Sequence, residues 1–467
     1  MSIPSTASPP RVSIRREVRE VARLAAPIVT VQLGMLLMGT VDTMMLGRLS
    51  KEALAAGALG TAVTFGIAAP AFGLIMAVDP LVSQAHGAGD RAAVLRHLVR
   101  GLVVVGTLSL LTMLGLWFVG PQLHWLRQQP EIVPLSTEYL RGVVPGMPGF
   151  LLFFLVRQTL QSMSIVRPAV LAVVAGNLVN VVANYALVFG GFGAPALGVL
   201  GSGLATSISR WVLLLVLVAA SWPLIRQVVP ARSAARSSAL SRALRPGAFV
   251  DLVRLGVPIS LQQAAEYWIF SLVALMMGAL GAVQFAGHQI ALNLASLAFM
   301  VPLGVAGAAA TRVGNAIGRR DVEAARRAAV VSLGLGAAAM SLSALTFAAF
   351  PRLLGRLYTP EPEVIAVAAT LLPIAAAFQI VDGLQVVAAG VLRGAADTLL
   401  PAALALIGFW GLGLPAAWLL AFPLELGPRG LWWGLTLGLA TTAVLLVLRT
   451  RRRLSQPVEA LLAERRA

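Results

Sequence analysis

Residues 23–55 read RLAAPIVTVQLGMLLMGTVDTMMLGRLSKEALA, and residues 254–286 read RLGVPISLQQAAEYWIFSLVALMMGALGAVQFA. At a shift of 231 residues the two stretches align without a gap, with nine identities in 33 pairs. Apolar composition by itself produces chance Leu and Ala matches. The pairs Arg23/Arg254, Pro27/Pro258, Gln32/Gln263 and Gly47/Gly278 are not of that kind. The same shift carries Gly87 and Asp90 onto Gly318 and Asp321. The chain is therefore a tandem duplication, and the fold of one half is expected again in the other.

Each copy opens on a long apolar run, and the whole chain is of that character. Of its 467 residues 58% are hydrophobic and 12% charged, with a mean hydropathy of +0.85. A soluble domain is about 45–50% apolar and about 25% charged. The excess exceeds what a soluble core can hide, and the same figures exclude disorder. Apolar runs lie at 24–46, 53–78, 98–119, 138–161, 168–190 and 199–222, then at 252–278, 284–308, 328–350, 364–391, 399–421 and 430–449. A helix needs about 20 residues to cross a bilayer, whereas barrel strands alternate polar and apolar over about ten. The expected fold is an all-α integral membrane protein with twelve transmembrane helices in two six-helix lobes. Six spans return the chain to the side it left, so the copies run in the same direction. A pseudo-two-fold axis along the membrane normal then relates them, with a cleft between the lobes that suits alternating access. The organisation reads as an N-terminal segment 1–23, a lobe 24–225, a linker 226–250, a second lobe 251–449 and a tail 450–467.

Charge supplies the orientation. The net charge is +17, from 36 Lys+Arg against 19 Asp+Glu. If the N-terminus is cytoplasmic, 28 basic residues fall on the inside and seven outside, with Arg210 left inside a span. That is a strong positive-inside bias, so both termini are expected in the cytoplasm and nucleic acid is not expected as a partner. The absence of cysteine excludes disulfides, zinc clusters and thiol chemistry. The four His are too dispersed for a metal site. Lys51 is the one lysine, and with the abundance of Ala, Gly and Pro this points to a GC-rich bacterial genome. No removable signal peptide is expected behind the polar MSIPSTASPP start. The inner membrane is the expected location.

Scarce charge makes the intramembrane acids conspicuous. Asp42, Glu266 and Asp382 lie well inside spans, while the other 16 acids read as loop, tail or span-end residues. An isolated charge at that depth costs at least ~2.5–3.5 kcal/mol, so such residues usually face a cavity and carry function. The alternative is a helix-to-helix hydrogen bond. Through the duplication Asp42 aligns with Val273 and Glu266 with Met35, seven residues apart in both copies. Two turns put both positions on one helix face. If that face lines the cleft, both acids do. A carboxylate there binds a proton, a sodium ion or a cationic ligand, but not all at once, which is the simplest chemical basis for exchange. Asn177, Asn180 and Asn184 form one stripe, either a polar cavity wall or interhelical glue. Gln32 and Gln263 recur in both copies as packing devices or wall residues, and His288 reads as a satisfied buried histidine or a wall residue. Pro27, Pro258, Pro302 and Pro373 are expected to kink their helices.

The segments Val41-Asp42-Thr43-Met44-Met45-Leu46-Gly47-Arg48-Leu49, Gly87-Ala88-Gly89-Asp90, Ala286-Gly287-His288-Gln289-Ile290 with Phe299-Met300-Val301-Pro302-Leu303-Gly304, Arg312-Val313-Gly314-Asn315, Phe378-Gln379-Ile380-Val381-Asp382-Gly383-Leu384-Gln385 and Leu392-Arg393-Gly394-Ala395-Ala396-Asp397-Thr398 together resemble the multidrug and toxic compound extrusion (MATE) family over about residues 20–450. The placement of acids in spans one, seven and ten is similar to its NorM-like branch. That resemblance implies efflux of cationic, amphipathic drugs in exchange for inward H+ or Na+. It places Glu266 and Asp382 in cation and substrate binding, with Na+ as a possible occupant, and Asp42 in coupling, with Gln379 in the polar cavity lining. No enzyme activity and no cofactor beyond the coupling ion are expected, and a monomer is expected although the sequence leaves the oligomeric state open. The DinF-like branch often carries an aspartate in span five where this chain has Asn180 and Asn184, so a proton switch there is not expected.

Three other classes are weighed. A major-facilitator transporter also has six plus six spans, but Asp90-Arg91 is followed by Ala92-Ala93-Val94 and not by a second basic cluster. A lipid-linked oligosaccharide flippase of the same superfamily would hold several intramembrane arginines for phosphate, where this chain offers Arg210 and the span-end Arg157. A prenyl transferase would need an Asp-Asp-x-x-Asp cluster, which is missing. There is no Walker motif either, so ATP is not the expected energy source.

Overall fold

The computed structural model describes residues 13–126, 130–228, 241–245 and 247–462. Residues 1–12 and 463–467 of the terminal segments, and 229–240 and 246 of the expected linker, lie outside the described residues. Among the described residues twelve helices are long and apolar enough to cross a membrane. They are α1 (Ile14–Leu49), α2 (Lys51–Gly87), α3 (Arg91–Gln122), α4 (Ile132–Ser162), α5 (Arg167–Phe189) and α6 (Gly198–Arg226), then α7 (Val250–Leu280), α8 (Ala282–Gly318), α9 (Val322–Ala349), α10 (Pro362–Gly394), α11 (Leu399–Ala421) and α12 (Gly427–Leu454). Among the described residues there is no strand. Apolar surroundings explain this: without water every backbone N–H and C=O must be paired, which a helix does within itself. Pro27, Pro258, Pro302 and Pro373 all lie inside helices.

Several helices outrun the apolar stretches that announce them, on the side that carries the chain termini. Residues 14–23 of the expected N-terminal segment are already helical, because α1 begins at Ile14. The Ser13 side chain caps it by accepting from Arg16 N, and Glu17 sits in its first turn. Likewise α2 runs past Met76, through a one-residue break at Ala77, to Gly87. Asp79, read as a span-end residue, is therefore inside a helix and fully buried. Hydropathy reports where a chain turns apolar, but capping decides where a helix starts. The duplicated Asp90 and Asp321 show the same physics: each accepts at 2.8 Å from the backbone N–H three residues on, Ala93 and Ala324, and starts α3 and α9.

Helices α1–α6 form one lobe and α7–α12 the other. They meet where α1 and α2 pack on α7 and α8. The bonds across this junction gather on the termini side. Arg312 pairs with Glu17 at 2.7 Å, Ser260 Oγ donates to the Pro70 carbonyl at 2.7 Å, and Thr311 Oγ1 donates to the Gln161 carbonyl at 3.3 Å. At mid-depth Tyr267 Oη donates to the Ala62 carbonyl at 3.5 Å. Beyond that point no hydrogen bond or ion pair joins α1 or α2 to the other lobe among the described residues. The lobes are pinned at the termini side and unjoined toward the far side.

Candidate functional site

A cavity of about 450 Å³ lies inside the second lobe. On α7 it is lined by Gln263, Glu266, Tyr267, Phe270 and Ala274, and on α10 by Phe378, Asp382 and Gln385. Spacings of three and four put each set on one helix face, so the amphipathic faces of two helices meet and enclose polar groups. Phe299 of α8 and Phe409 of α11 close the wall. Phe409 belongs to a π-helical stretch, Ile407–Gly413, in the middle of α11. The widened turn also places Trp410 Nε1 3.2 Å from the Ala265 carbonyl, one residue from Glu266. Such π segments recur at functional sites because they re-aim side chains inside a helix.

The two acids of this cavity differ in support. Glu266 Oε1 accepts from Gln385 Nε2 at 2.9 Å and from Gln262 Nε2 at 3.2 Å. Among the described residues no side chain donates a hydrogen bond to Asp382. One carboxylate is thus held by two amides and the other by none, in a wall where Gln263, Ser271, Gln289 and Ser296 stand among aromatic and aliphatic side chains. A shallower depression of about 490 Å³ at Phe350–Leu353 and Ala366–Thr370 contains a single charged residue, Arg352, and no acid.

Asp42 stands elsewhere. It is buried in the first lobe between α1, α5 and α6, where Oδ1 accepts from Asn180 Nδ2 at 3.0 Å and Asn184 Nδ2 at 2.7 Å, and Oδ2 accepts from Thr206 Oγ1 at 2.8 Å. Three donors offset the cost of taking a carboxylate out of water. The shared-face expectation for Asp42 and Glu266 therefore does not place them in one cavity. Val273, the counterpart of Asp42, is fully buried in the core of the second lobe.

The remaining polar candidates separate in the same way. Gln263 lines the cavity. Gln32 does not, since its Oε1 accepts from Arg157 Nη1 at 3.2 Å. Asn177 ties α5 to α1 by donating to the Gly34 carbonyl at 3.0 Å. His288 is buried with Nδ1 3.2 Å from Trp432 Nε1, and Gln379 is fully buried beside the cavity without lining it. Asn180 and Asn184 serve the Asp42 carboxylate and are themselves fully buried, not an exposed polar wall. Arg157 and Arg210, the arginines a phosphate ligand would need, pack instead over the rings of Phe154 and Phe150, 4.3 and 4.5 Å from their centroids.

Three residues of these networks, and the buried Asp79, are not singled out in the sequence. Gln385 follows Asp382 by three positions and Gln262 precedes Glu266 by four, so helical spacing held both signals. Thr206 carries no comparable signal, because its partner is 164 positions away. Asp79 was hidden by Pro80, which ends the apolar run on paper, although the apolar residues resume at Leu81.

The MatE family model matches this chain twice, over residues 27–186 and 258–419, with starting points separated by the 231 residues of the duplication. The chain is 39% identical over 430 residues to the "Probable multidrug resistance protein NorM" of Rhizobium meliloti, covering 91% of each. It is 38% identical over 464 residues to the "Multidrug resistance protein NorM" of Burkholderia vietnamiensis, covering 98% of each. Its fold is similar to the eukaryotic MATE transporter AtDTX14, with a TM-score of 0.83 and 24% identity over 96% of this chain and 99% of that one. It is equally similar to the outward-facing conformation of a multidrug resistance MATE family transporter of the MOP superfamily, with a TM-score of 0.83 and 22% identity over 96% and 99%.

Proposed function

The chain belongs to the MatE family, and from that premise we propose that it is a multidrug efflux antiporter that exports cationic, amphipathic compounds in exchange for inward H+ or Na+. It is a transporter and not an enzyme. The observation that carries the reading is the pairing of Glu266 and Asp382 in the wall of one aromatic-lined cavity. A volume of about 450 Å³ is that of a drug-sized site. Aromatic faces receive the apolar body and the ring quadrupoles favour a cation. A carboxylate that holds the drug's charge cannot hold a coupling cation as well, so arrival of one expels the other. Asp42, in its own three-donor pocket, supplies a second titratable or cation-binding group in the first lobe.

The protein sits in the bacterial inner membrane with both termini in the cytoplasm, which makes the pinned side cytoplasmic and the structure outward-facing. It acts as a monomer with no cofactor besides the coupling ion. A flippase for phosphate-linked sugars is disfavoured, because the cavity presents acids while Arg157 and Arg210 are engaged on phenylalanine rings.

Two experiments test the proposal. Glu266→Gln and Asp382→Asn are expressed in a drug-sensitive, efflux-deficient bacterium, and loss of protection at wild-type expression is expected. Full protection by both variants sinks the site assignment. Ethidium export from vesicles is then measured with Na+ varied at fixed pH, and with pH varied without Na+. A transporter that answers neither gradient is not an antiporter of this kind.

A further inference from the structure

A second, smaller cavity of about 50 Å³ lies between the large one and the termini side. The two share Gln263, Glu266 and Gln385, so these side chains form a partition with Glu266 reaching both compartments. The direction of the small cavity follows from its other wall residues. It is lined along α10 by Ala389 and then Arg393, which lies eight residues beyond Gln385. Eight residues of helix are about 12 Å, and they lead from the depth of Glu266 to the end of α10 on the termini side.

Arg393 closes that end. Its Nε lies 3.6 Å from Asp79 Oδ2, and its Nη1 lies 4.0 Å from Met76 Sδ, both on α2 of the opposite lobe. Asp79 is fully buried and its other oxygen accepts from Ser162 Oγ at 2.7 Å. The pair is a loose one: neither Arg393 Nε nor Asp79 Oδ2 makes a hydrogen bond in this state. The remaining acid of the small cavity, Asp397, is occupied by Arg449 at 2.7 Å. A cation moving from Glu266 toward the termini side therefore meets a guanidinium in a low-dielectric passage, where like charges repel far more strongly than in water. Parting of the lobes would carry Asp79 away from Arg393 and break this closure.

We propose that the small cavity is the inward exit of the coupling cation, and that Arg393, held across the lobe interface by Asp79, is the plug that keeps it shut while the outer cavity is open. This rests on the reading above that Glu266 takes up the coupling cation. The ligand class is a monovalent inorganic cation, a proton or sodium. Arg393 touches neither drug nor cation in its bound place. It acts by position, as the barrier that makes cation entry wait for the change of state.

The test uses the full-length protein in vesicles. Drug-independent cation entry is followed with a pH-sensitive dye and, separately, with radioactive sodium, and ethidium–ethidium exchange reports the intact drug site. In Arg393→Gln the leak of whichever cation drives wild-type export is expected to rise about tenfold or more, with ethidium exchange retained. Arg393→Lys, which keeps the charge, is expected to stay near the wild-type leak. Adding Glu266→Gln to Arg393→Gln is expected to abolish the leak, because the route runs through Glu266. As an independent arm, Ala389→Phe fills the small cavity and is expected to stop cation-driven ethidium export while exchange continues. An exchange-competent Arg393→Gln without a leak overturns the proposal, as does a leak that survives the Glu266→Gln addition. Should Arg393→Gln fail to assemble, undiminished cation-driven export by Ala389→Phe overturns it in its place. If wild-type vesicles answer neither gradient, the antiport reading falls and takes this proposal with it. A gradient-driven wild type with a tight, exchange-competent Arg393→Gln overturns this proposal and leaves the antiport reading standing.

Discussion

Gln84 and Asn315 occupy the same place in the two halves of the chain, 231 residues apart, and each donates its side-chain amide across the lobe interface to the carbonyl at the end of a helix of the other lobe. Gln84 Nε2 lies 3.0 Å from the Gly394 carbonyl that ends α10, and Asn315 Nδ2 lies 3.0 Å from the Ser162 carbonyl that ends α4. Gly87 packs against the backbone of Asn315 and Gly318 against the backbone of Gln84, so the duplicated glycines admit the contact. The two-fold relation inferred from sequence is realised as a pair of reciprocal bonds that hold one side of the transporter closed.

Removing one of those donors should loosen that side. A buried acceptor left unmade costs about 1–3 kcal/mol, and a shift of one or two kcal/mol changes a conformational ratio about 5–30-fold. The chain has no cysteine, so Ser83→Cys provides a single reporter, fully buried against Gly314 at the junction. Thiol labelling of Ser83→Cys is expected to accelerate by that factor when Gln84→Ala or Asn315→Ala is added. Unchanged labelling in both would show that the bonds do not hold the interface.

The Glu17–Arg312 pair joins the first turn of α1 to α8 through bonds of 2.7, 2.9 and 3.0 Å. Breaking a buried pair costs about 3–5 kcal/mol, and the partial exposure of Arg312 reduces this to about 2–3 kcal/mol. Glu17→Gln is expected to lower the unfolding midpoint by several degrees, and Glu17→Arg with Arg312→Glu to recover part of it. A midpoint unmoved by Glu17→Gln would assign the pair no stabilising role.

Asn180, Asn184 and Thr206 converge on one carboxylate, so their effects should not add. Asp42→Asn is expected to destabilise by about 2–3 kcal/mol, since charge-assisted bonds are lost and an amide now faces donors. Asn184→Ala in that background should cost less than in the wild type by about 0.5–3 kcal/mol, the range for groups in one network. Strict additivity in a double-mutant cycle would show that the network does not act as a unit.

Gln385 holds Glu266 without being an acid. Gln385→Leu removes a bond to a charged group, about 1.5–3 kcal/mol, which is at least about tenfold in cation affinity if the charged form is what binds. The half-saturating cation concentration for ethidium export is expected to change by that factor, and by more than the affinity for ethidium does. A variant that alters drug affinity alone would show that Gln385 acts as a wall of the drug cavity and not as the support of Glu266.

Filling the cavity should sort substrates by size. Ala274 lines the cavity eight residues beyond Glu266 on α7, and Ala274→Phe subtracts a ring's volume from about 450 Å³. Export of bulky dyes is expected to fall several-fold more than export of tetramethylammonium-sized cations, as measured side by side in vesicles. Equal losses for large and small cations would move the transport route out of this cavity.

The sequence by itself determined the duplication, the number of helices and the three deep acids. These are properties of the chain taken one segment at a time against an apolar slab about 30 Å thick, and hydropathy and charge count report them directly. It could not determine where each helix ends, because caps such as Ser13 and the passage of α2 beyond Pro80 do not change the average hydropathy. Nor could it say which acids work together. Asp42 and Glu266 share a helix face in the duplication, yet one is enclosed by Asn180, Asn184 and Thr206 while the other opens on a cavity beside Asp382. That outcome depends on how each helix is rolled and tilted against its neighbours, which is settled by packing across spans far apart in the chain. The same holds for Asp79 and Arg393, separated by more than three hundred positions and brought within 3.6 Å by the junction of the lobes.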